Sequence, residues 1–333
     1  MKKKGIGVGS MWYGIGNTGS ANPGAAFVEV LADSTVNLMI GSADIGQGSS
    51  TALAQIAAEV LGVKYEDIQV ISADTMITPE GGATSASRQT FVSGKAVEIA
   101  CLQARKVMSK VASELLGEKS DLLLFKNKKV MSKKNADKVL DYKDLLAEMG
   151  KRGELAVGAG AYNPQTSPLD PQTMQGVPYE VYSYATAIAQ VEVDTETGHI
   201  TLEKVVSSHD VGKAINPLLA EGQIEGGVVM GEGFALYEKT EHKAGLITNP
   251  NYSKYIIPTS VDVPEIFPIL VESDSQIGPF GAKGIGEPAL IPVIPAILDA
   301  VEDAIGIHFY RVPVLPADVL LALKDKNYTE CNK

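Results

Sequence analysis

Two stretches with one pattern decide the fold: residues 28–48, VEVLADSTVNLMIGSADIGQG, and residues 191–213, VEVDTETGHITLEKVVSSHDVGK. Each reads as a strand, a hairpin turn, a second strand and an Asp-apolar-Gly loop, and a helical pattern follows each loop. The repetition predicts an internally duplicated α+β protein with two subdomains, whose equivalent loops face a shared cleft.

The length and composition set the broad class of the protein. A chain of 333 residues exceeds the size at which one core usually divides, so we predict subdomains at about 1–155 and 156–333, with interleaving possible. No apolar run reaches the ~20 residues that span a bilayer, and we expect a cytoplasmic protein without a membrane partner. A net charge of −11 argues against a nucleic-acid partner.

The cysteines and histidines exclude several kinds of metal site. Cys101 and Cys331 are far apart, and the four histidines form no pair at ligand spacing. An iron–sulfur cluster, a zinc finger and a disulfide framework are therefore excluded in this chain. Any metal would arrive inside a cofactor, with no side chain as its ligand.

Residues 281–288, GAKGIGEP, place one carboxylate, Glu287, among three glycines and before an apolar helical pattern. Glycines let the main chain approach a bound group, and Pro288 suits the first turn of a helix. By itself the motif leaves two interpretations open. Glu287 either acts on a ligand or is only an acid stabilised by the positive end of the helix.

Three further polar loops suggest a bound anion or heterocycle. Gly46-Gln47-Gly48 precedes a helical pattern with capping hydroxyls at Ser49–Thr51, although a plain capped helix explains this as well. Residues 81–90, GGATSASRQT, offer hydroxyls, backbone donors and the guanidinium of Arg88. Gln223 lies in a third polar cluster, residues 221–227, that opens a helix or a strand, and its amide can both donate to and accept from a pterin or nucleobase.

Five motifs together resemble the xanthine dehydrogenase and aldehyde oxidase family of molybdenum hydroxylases. In chain order they are Gly46-Gln47-Gly48 with QIAAEVLG at 55–62, SASR at 85–88, HDVGK at 209–213 with INP at 215–217, GQIEGG at 222–227, and GIGEP at 284–288. The similarity runs from about Gly5 to about Leu323. It covers the carboxy-terminal half of the family's usual molybdenum subunit.

The resemblance implies a division of that subunit between two chains, as in nicotinate dehydrogenases, where this chain matches the medium molybdopterin subunit. The expected partners are a large molybdopterin subunit that supplies the missing half, an iron–sulfur subunit and an FAD subunit. The expected cofactor is molybdenum with molybdopterin cytosine dinucleotide, in which a selenido ligand can replace sulfur. The resemblance also associates the enzyme with NADP. The expected reaction is the hydroxylation of a heteroaromatic carbon with oxygen from water, nicotinate to 6-hydroxynicotinate.

The resemblance also assigns roles to residues. Glu287 matches the family's general base. The positions around the pterin cofactor are Gln47, Ser85, Ala86, Ser87, Gln223 and Lys283, with the Ala86 backbone nearest the metal. Gly46, Gly48 and Arg88 would serve its phosphates. Residues 11–19 match a border of the substrate channel, where Tyr13 could bind a substrate carboxylate or be a half-buried aromatic without that role.

Two alternatives remain open at this point. Within the enzyme class, the substrate could be xanthine, another purine or an aldehyde. Outside it, the chain could be a non-catalytic scaffold of the same fold. Glu287, Gln223 and the loop at residues 85–88 argue against a scaffold, because a scaffold has no physical need for a base that faces a ligand.

Overall fold

The structure is a computed structural model that describes residues 1–16 and 21–324. Residues 17–19 of the predicted channel border and Cys331 lie outside the described residues. The elements follow in the order β1 (Lys2–Gly14), β2 (Gly24–Val30), β3 (Val36–Ile40), α1 (Ser49–Leu61), β4 (Ile68–Ser72), α2 (Gly94–Leu116), β5 (Leu123–Lys126), β6 (Lys129–Ser132), β7 (Val139–Asp141), α3 (Tyr142–Lys151), β8 (Ala156–Tyr162), β9 (Tyr182–Asp194), β10 (Ile200–Asp210), α4 (Pro217–Leu236), β11 (His242–Lys243), β12 (Leu246–Ile247), β13 (Glu265–Val271), α5 (Val293–Ile305) and α6 (Pro316–Lys324).

The described residues form two four-stranded sheets of matching construction, which we call sheet 1 and sheet 2. Sheet 1 has the order β4-β3-β2-β8, and sheet 2 has the order β13-β10-β9-β1. In each, an antiparallel hairpin leads through a helix to a parallel strand, β2-β3-α1-β4 in sheet 1 and β9-β10-α4-β13 in sheet 2. The predicted mixture of helices and sheets is confirmed. The origin of the likeness in an internal duplication stays a prediction.

Two strands join a sheet that is otherwise formed by the other side of the predicted boundary between residues 155 and 156. β1, from the beginning of the chain, pairs antiparallel with β9 in sheet 2. β8, which follows the predicted boundary, pairs antiparallel with β2 in sheet 1. Each sheet therefore takes one of its two outer strands, β8 or β1, from the other half of the sequence, so the two predicted ranges interleave.

Helix α2 covers one face of sheet 1, and helix α5 covers one face of sheet 2, both at unusually close range. An added Cβ at Gly160 on β8 would lie 2.1 Å from the backbone oxygen of Ala96 on α2, and one at Gly7 on β1 would lie 2.1 Å from the backbone nitrogen of Ala300 on α5. Glycine is required where backbones approach this closely. The main cores form on these inner faces.

The helix after the first loop is placed as the sequence predicts. Leu53, Ile56, Ala57, Val60 and Leu61 are all buried on its inner face. The helix ends at Gly62, which is left-handed with φ of 65°. A helix spanning Gln223 is also found, in α4, whose first turn is capped by the side chain of Asn216.

Candidate functional site

A cavity of about 310 Å³ lies between the two halves of the molecule. The Asp-apolar-Gly loops after β3 and β10 both border it, which is the shared cleft that the repeat predicts. Eight of the predicted site residues line it: Gln47, Gly48, Ser85, Ser87, Arg88, Gln223, Lys283 and Glu287. The fold therefore brings together residues that are separated by up to 240 positions in the chain.

Glu287 is held at the edge of this cavity by three donors from other segments. The Tyr13 hydroxyl donates to Glu287 Oε2 at 2.7 Å, the Ser87 hydroxyl donates to the same oxygen at 2.5 Å, and the Ala86 N–H donates to Oε1 at 3.0 Å. A carboxylate offers about four acceptor positions. The arrangement fixes the orientation of Glu287 and leaves acceptor capacity for one more proton donor.

The loop that supplies two of these donors has a strained backbone. Ala86 and Ser87 both have positive φ, 52° and 55°. Each such residue costs on the order of 1 kcal/mol, and such strain concentrates at functional sites. The hydrogen bonds to Glu287 and the donation of the Glu287 N–H to Ser87 Oγ at 3.0 Å offset that cost.

The glycines around Glu287 have different reasons to be glycine. Gly281 has a φ of 82°. Gly284 has no room for a side chain, because an added Cβ would lie 1.7 Å from the Ser87 carbonyl oxygen. Gly286 has an ordinary helical φ of −60°, and an added Cβ would make only a normal van der Waals contact, 3.5 Å from the Ser87 hydroxyl, so neither reason applies there.

The sequence predicts that Glu287 stands at the start of an apolar helix, but the structure places it before that helix, α5. It begins a short 3-10 turn, Glu287–Ala289, with Pro288 in its first turn, and α5 begins only at Val293. The interpretation of Glu287 as an acid stabilised by a helix dipole is therefore wrong in geometry. Three side-chain and backbone donors take the place of the helix end.

A second cavity of about 400 Å³ lies beside Tyr13 and Ala86. Its lining is aromatic on several sides: Trp12, Tyr13, Tyr179 and Tyr182. Burial, then the hydrogen bond to Glu287, raises the pKa of Tyr13, so its hydroxyl stays protonated. That proton is donated to Glu287, so Tyr13 would have to release Glu287 before it could donate to a substrate carboxylate.

The first Gly-x-Gly loop is arranged differently from the prediction. The hydroxyls of Ser49, Ser50 and Thr51 do not cap α1, and its N-cap is Gly48 with a φ of 80°. The carboxylate of Asp44 accepts from the N–H groups of Gly46 (2.9 Å), Gly48 (3.3 Å) and Ser50 (2.9 Å). An internal acid thus occupies donors that were predicted to be free for a phosphate.

Arg88 does not fit the predicted role at a phosphate. Its side chain is fully buried, and Nη1 and Nη2 donate to the backbone carbonyls of Gly81, Ala83, Asn22 and Pro23. Burial lowers its pKa. We correct the assignment: although Arg88 borders the cavity, its guanidinium ties residues 22–23 to the loop at 81–83.

Lys283 reaches the cavity from a buried ion pair. Its Nζ lies 2.6 Å from Asp210 Oδ2, and the two side chains are 8% and 15% exposed. Asp210 Oδ1 accepts from the Ser273 hydroxyl at 2.7 Å and from the Gly212 N–H at 3.0 Å. Sequence reasoning missed Asp210, although its place in the repeated loop was a usable signal.

The remaining predicted residues lie at the two cavities, except Gly46, which lines neither. Gln47 is partly exposed and is oriented by the Ile45 N–H, which donates to Oε1 at 2.7 Å, and by Ser49, to whose hydroxyl it donates at 2.9 Å. Gln223 is partly exposed on α4. Gly46 faces open space, and Ala86 borders the second cavity.

The donor set suits a large polar organic cofactor. Four amide side chains, several hydroxyls and two paired lysines line a cavity with one oriented carboxylate. Such groups recognise a heterocycle through hydrogen bonds at several edges. The residues present therefore fit a pterin, while the Arg88 guanidinium contributes nothing to it.

Comparisons with known proteins agree with this arrangement. Residues 1–264 match the family described as molybdopterin cofactor-binding domain. The putative xanthine dehydrogenase molybdenum-binding subunit of Escherichia coli (strain K12) is 32% identical over 320 residues, which cover 94% of this chain and 41% of that protein. The 6-hydroxypseudooxynicotine dehydrogenase complex subunit gamma of Paenarthrobacter nicotinovorans is 30% identical, over 99% of this chain and 41% of that protein.

A solved structure shows the same fold. The aldehyde oxidoreductase from Desulfovibrio desulfuricans ATCC 27774 is similar with a TM-score of 0.80 and 30% identity, over 96% of this chain and 32% of that one. The chain thus spans about two fifths of the length of the curated relatives described above. Within residues 1–16 and 21–324, none of the helices has the length and apolarity to cross a membrane.

Proposed function

Because the chain belongs to the molybdopterin-binding family of xanthine dehydrogenases and aldehyde oxidoreductases, we propose that it is the medium molybdopterin subunit of a multi-subunit molybdenum hydroxylase. The proposed reaction adds a hydroxyl group, derived from water, to an electron-poor carbon of a heteroaromatic ring. Nicotinate, which would give 6-hydroxynicotinate, is the substrate that we place first.

The observation that carries the proposal is the position of Glu287. Its carboxylate borders the cavity lined by pterin-compatible groups, and its donors Tyr13 and Ala86 border the aromatic cavity. A general base must lie within hydrogen-bond reach of the proton that it removes. Glu287 is a carboxylate of fixed orientation between a cofactor site and a substrate site.

The pterin cofactor, proposed here as the cytosine dinucleotide form with sulfur or a selenido ligand on molybdenum, would supply the redox chemistry. The chain's own residues would hold this cofactor and orient the base. Gln47, Gln223, Ser85 and Lys283 line the cavity and can bind the pterin edges. Asp210 fixes Lys283, and Tyr13 and Ser87 fix the base.

The aromatic cavity supports a flat ring as substrate. Tyr179 and Tyr182 pack edge to face with ring centroids 5.5 Å apart, and Trp12 lies 5.8 Å from Tyr182. Aromatic side chains contact planar rings through stacked or edge-to-face geometries. The relatives and the solved structure described above are named for xanthine, for 6-hydroxypseudooxynicotine and for an aldehyde, so the preference for a heteroaromatic ring rests on the aromatic cavity.

The proposal includes partners, since the chain covers only part of its relatives. We propose a large molybdopterin subunit that carries the remaining part, together with iron–sulfur and FAD subunits that remove the electrons. The test is purification of the tagged chain under anaerobic, non-denaturing conditions from its native source, with molybdenum analysis and identification of all subunits. About one molybdenum per chain and turnover of nicotinate are expected. Active material without molybdenum would contradict the proposal.

Glu287→Gln in the assembled complex tests the base directly. The amide keeps the size of the side chain but cannot take a proton, so we expect kcat to fall by about 10²–10⁴-fold. The molybdenum content should stay the same. Glu59→Gln, the same change at an exposed carboxylate on α1 that borders neither cavity, is the control, and its kcat should stay near the wild-type value. Near-normal turnover of Glu287→Gln would remove this residue from the reaction.

A further inference from the structure

The outer face of sheet 2 carries two apolar rows, separated by a row of three hydroxyl side chains, Ser10, Thr186 and Ser208. Val8, Ile188, Val206 and Phe267 stand side by side on four neighbouring strands in the registers Val8–Ile188, Ile188–Val206 and Val206–Phe267. Val8 is 52% exposed, and Ile188 and Phe267 are more than 40% exposed. Ile6, Trp12, Tyr184, Ile269 and Val271 extend the surface along the strands. We call these nine residues the outer face.

This face differs from the inner face of the same sheet. The alternate residues Ala187, Ala189, Val191 and Val193 of β9 are fully buried against α5 and its neighbours. A sheet with one covered face normally carries polar residues on the other. Sheet 1 is closer to that rule, since among the described residues its outer face exposes two large apolar side chains, Phe27 and Val157, against eight on sheet 2.

The size of the outer face is that of an interface centre. Four strands at about 4.8 Å spacing span roughly 14 Å, and the seven residues from Ile6 to Trp12 span roughly 20 Å, which gives on the order of 300 Å². A standard interface buries about 800 Å² on each partner. Ion pairs flank one end of the face, Lys4–Glu203 at 2.6 Å and Lys204–Glu265 at 3.0 Å, like the polar rim of such an interface.

The edges of sheet 2 are less suited to a partner strand than its face. The N–H groups of Ile6 and Val8 on the outer strand β1 donate to Asp303 and Asp299 of α5, at 2.9 and 2.8 Å. The opposite edge strand contains Pro268, which lacks a backbone donor. A partner is therefore expected to pack on the side chains rather than extend the sheet.

The outer face continues to the proposed active site. Trp12 belongs to the face and lines the aromatic cavity beside Tyr13. Tyr184 of the face lies 5.9 Å from the Lys283 Nζ, which lines the cofactor cavity. A chain that covers this face would reach the rim of both cavities.

We infer that the outer face of sheet 2 is the docking surface for the polypeptide that corresponds to the part of the relatives absent from this chain. This inference rests on the proposed function, in which that polypeptide is the large molybdopterin subunit. The absent part is more than half of each curated relative, and it must pack closely for two chains to form one site. The face supplies apolar area next to that site.

The test uses variants of the tagged full chain, co-purified with its natural partners. Val8→Glu and Ile269→Glu place a charge on opposite edge strands of the face. Val157→Glu is the matched control, because Val157 is an outward valine, 45% exposed, on β8, the outer strand of sheet 1. Large-subunit recovery per tagged chain is measured by mass spectrometry, with identification by sequence match to the absent part of the relatives.

Both face variants should recover at least tenfold less large subunit, while Val157→Glu should recover the wild-type amount. All three isolated chains should unfold thermally near the wild-type temperature, since the substituted side chains face water. Wild-type recovery by either folded face variant would overturn the inference, and so would equal loss in the control. A dimer of the isolated chain that Val8→Glu dissociates, with the large subunit still bound, would assign the face to a second copy instead.

The outcomes separate this inference from the proposed function. A wild-type complex that contains molybdenum and turns over nicotinate, but keeps its large subunit in both face variants, contradicts the docking surface alone. A wild-type preparation with neither a large subunit nor molybdenum contradicts the proposed function and the docking surface together.

Discussion

The two Asp-apolar-Gly loops, alike in sequence, have different tasks in the structure. In the first, Asp44 is exposed and accepts hydrogen bonds from its own loop and from the start of α1. In the second, Asp210 is largely buried and joins Lys283 and Ser273 from a loop more than 60 residues away. One aspartate closes a local turn, and the other connects segments across the molecule.

The neighbouring positions differ in the same sense. The residue before Asp44 is Ala43, whereas the residue before Asp210 is His209, a fully buried ring whose Nε2 lies 2.8 Å from the Ser207 hydroxyl. Gln47 of the first loop lines the cavity with an amide, while the second contributes Lys213, paired with Glu272 at 2.9 Å. A sequence repeat therefore predicts where the loops lie, while their partners decide what each loop does.

The largest effect is expected from Asp210→Ala. It leaves the Lys283 ammonium nearly buried without its partner, and removing one member of such a pair costs about 3–5 kcal/mol. We expect the urea midpoint of the isolated chain to fall accordingly. Lys213→Ala, which removes an exposed pair with Glu272, is the control and should cost less than about 1 kcal/mol. Equal losses would show that the Asp210–Lys283 pair contributes no more to stability than an exposed ion pair.

The next effect is on the pH dependence of stability, because the second loop contains a buried histidine, His209, where the first has Ala43. Burial lowers the pKa of His209 to about 4, from the ordinary value of 6.5 that it regains on unfolding. The unfolded state therefore binds the proton first, so stability that is complete above pH 6.5 is lost as the pH falls towards 4. Between pH 7 and pH 5 the loss should be about 2 kcal/mol.

His209→Asn is the variant that isolates this effect. Its unfolding free energy should change less between pH 7 and pH 5 than that of the wild type, by about 2 kcal/mol. Urea titrations at the two pH values measure the difference. His199→Asn, which replaces an exposed histidine, is the control and should keep the wild-type pH dependence. An unchanged slope in His209→Asn would mean that this ring titrates normally in the folded protein.

The smallest effect is expected from Asp44→Ala in the first loop. Burial tends to raise the pKa of Asp44, but the N–H groups of Ser50, Gly46 and Gly48 lower it overall. Loss of the carboxylate leaves those donors to water and should cost about 1 kcal/mol, as for other helix caps. Asp44→Asn keeps an acceptor and should lose less. A cost near that of Asp210→Ala would contradict the local character of this loop.

Several features of the site follow from local pattern. The Asp-apolar-Gly repeat placed two loops at one cavity, and the spacing of Leu53, Ile56 and Val60 placed the inner face of α1. GAKGIGEP singled out Glu287 and marked the close approach that Gly284 permits. These features depend on residues near one another in the chain, where periodicity and backbone geometry apply.

Other features could not be predicted because their cause lies far away in the sequence. Arg88 looked like an anion ligand, yet it serves carbonyls of residues 22–23, more than 60 positions earlier. The free N–H groups expected at α1 are occupied by Asp44, which local reasoning did not weigh as a competitor. In both cases the sequence predicts that a polar group binds a ligand, whereas the structure shows that it hydrogen-bonds to another part of the protein.

The sequence by itself determined the family resemblance, the mixture of strands and helices and the acid at residue 287. Only the tertiary structure decided what orients that acid, because Tyr13 and Ser87 stand 274 and 200 positions away from it. It likewise decided that β1 completes the second sheet and that its outward residues Val8 and Trp12 are left exposed. The physical reason is that hydrogen bonds and apolar contacts depend on distance in space, whereas a motif records only distance along the chain.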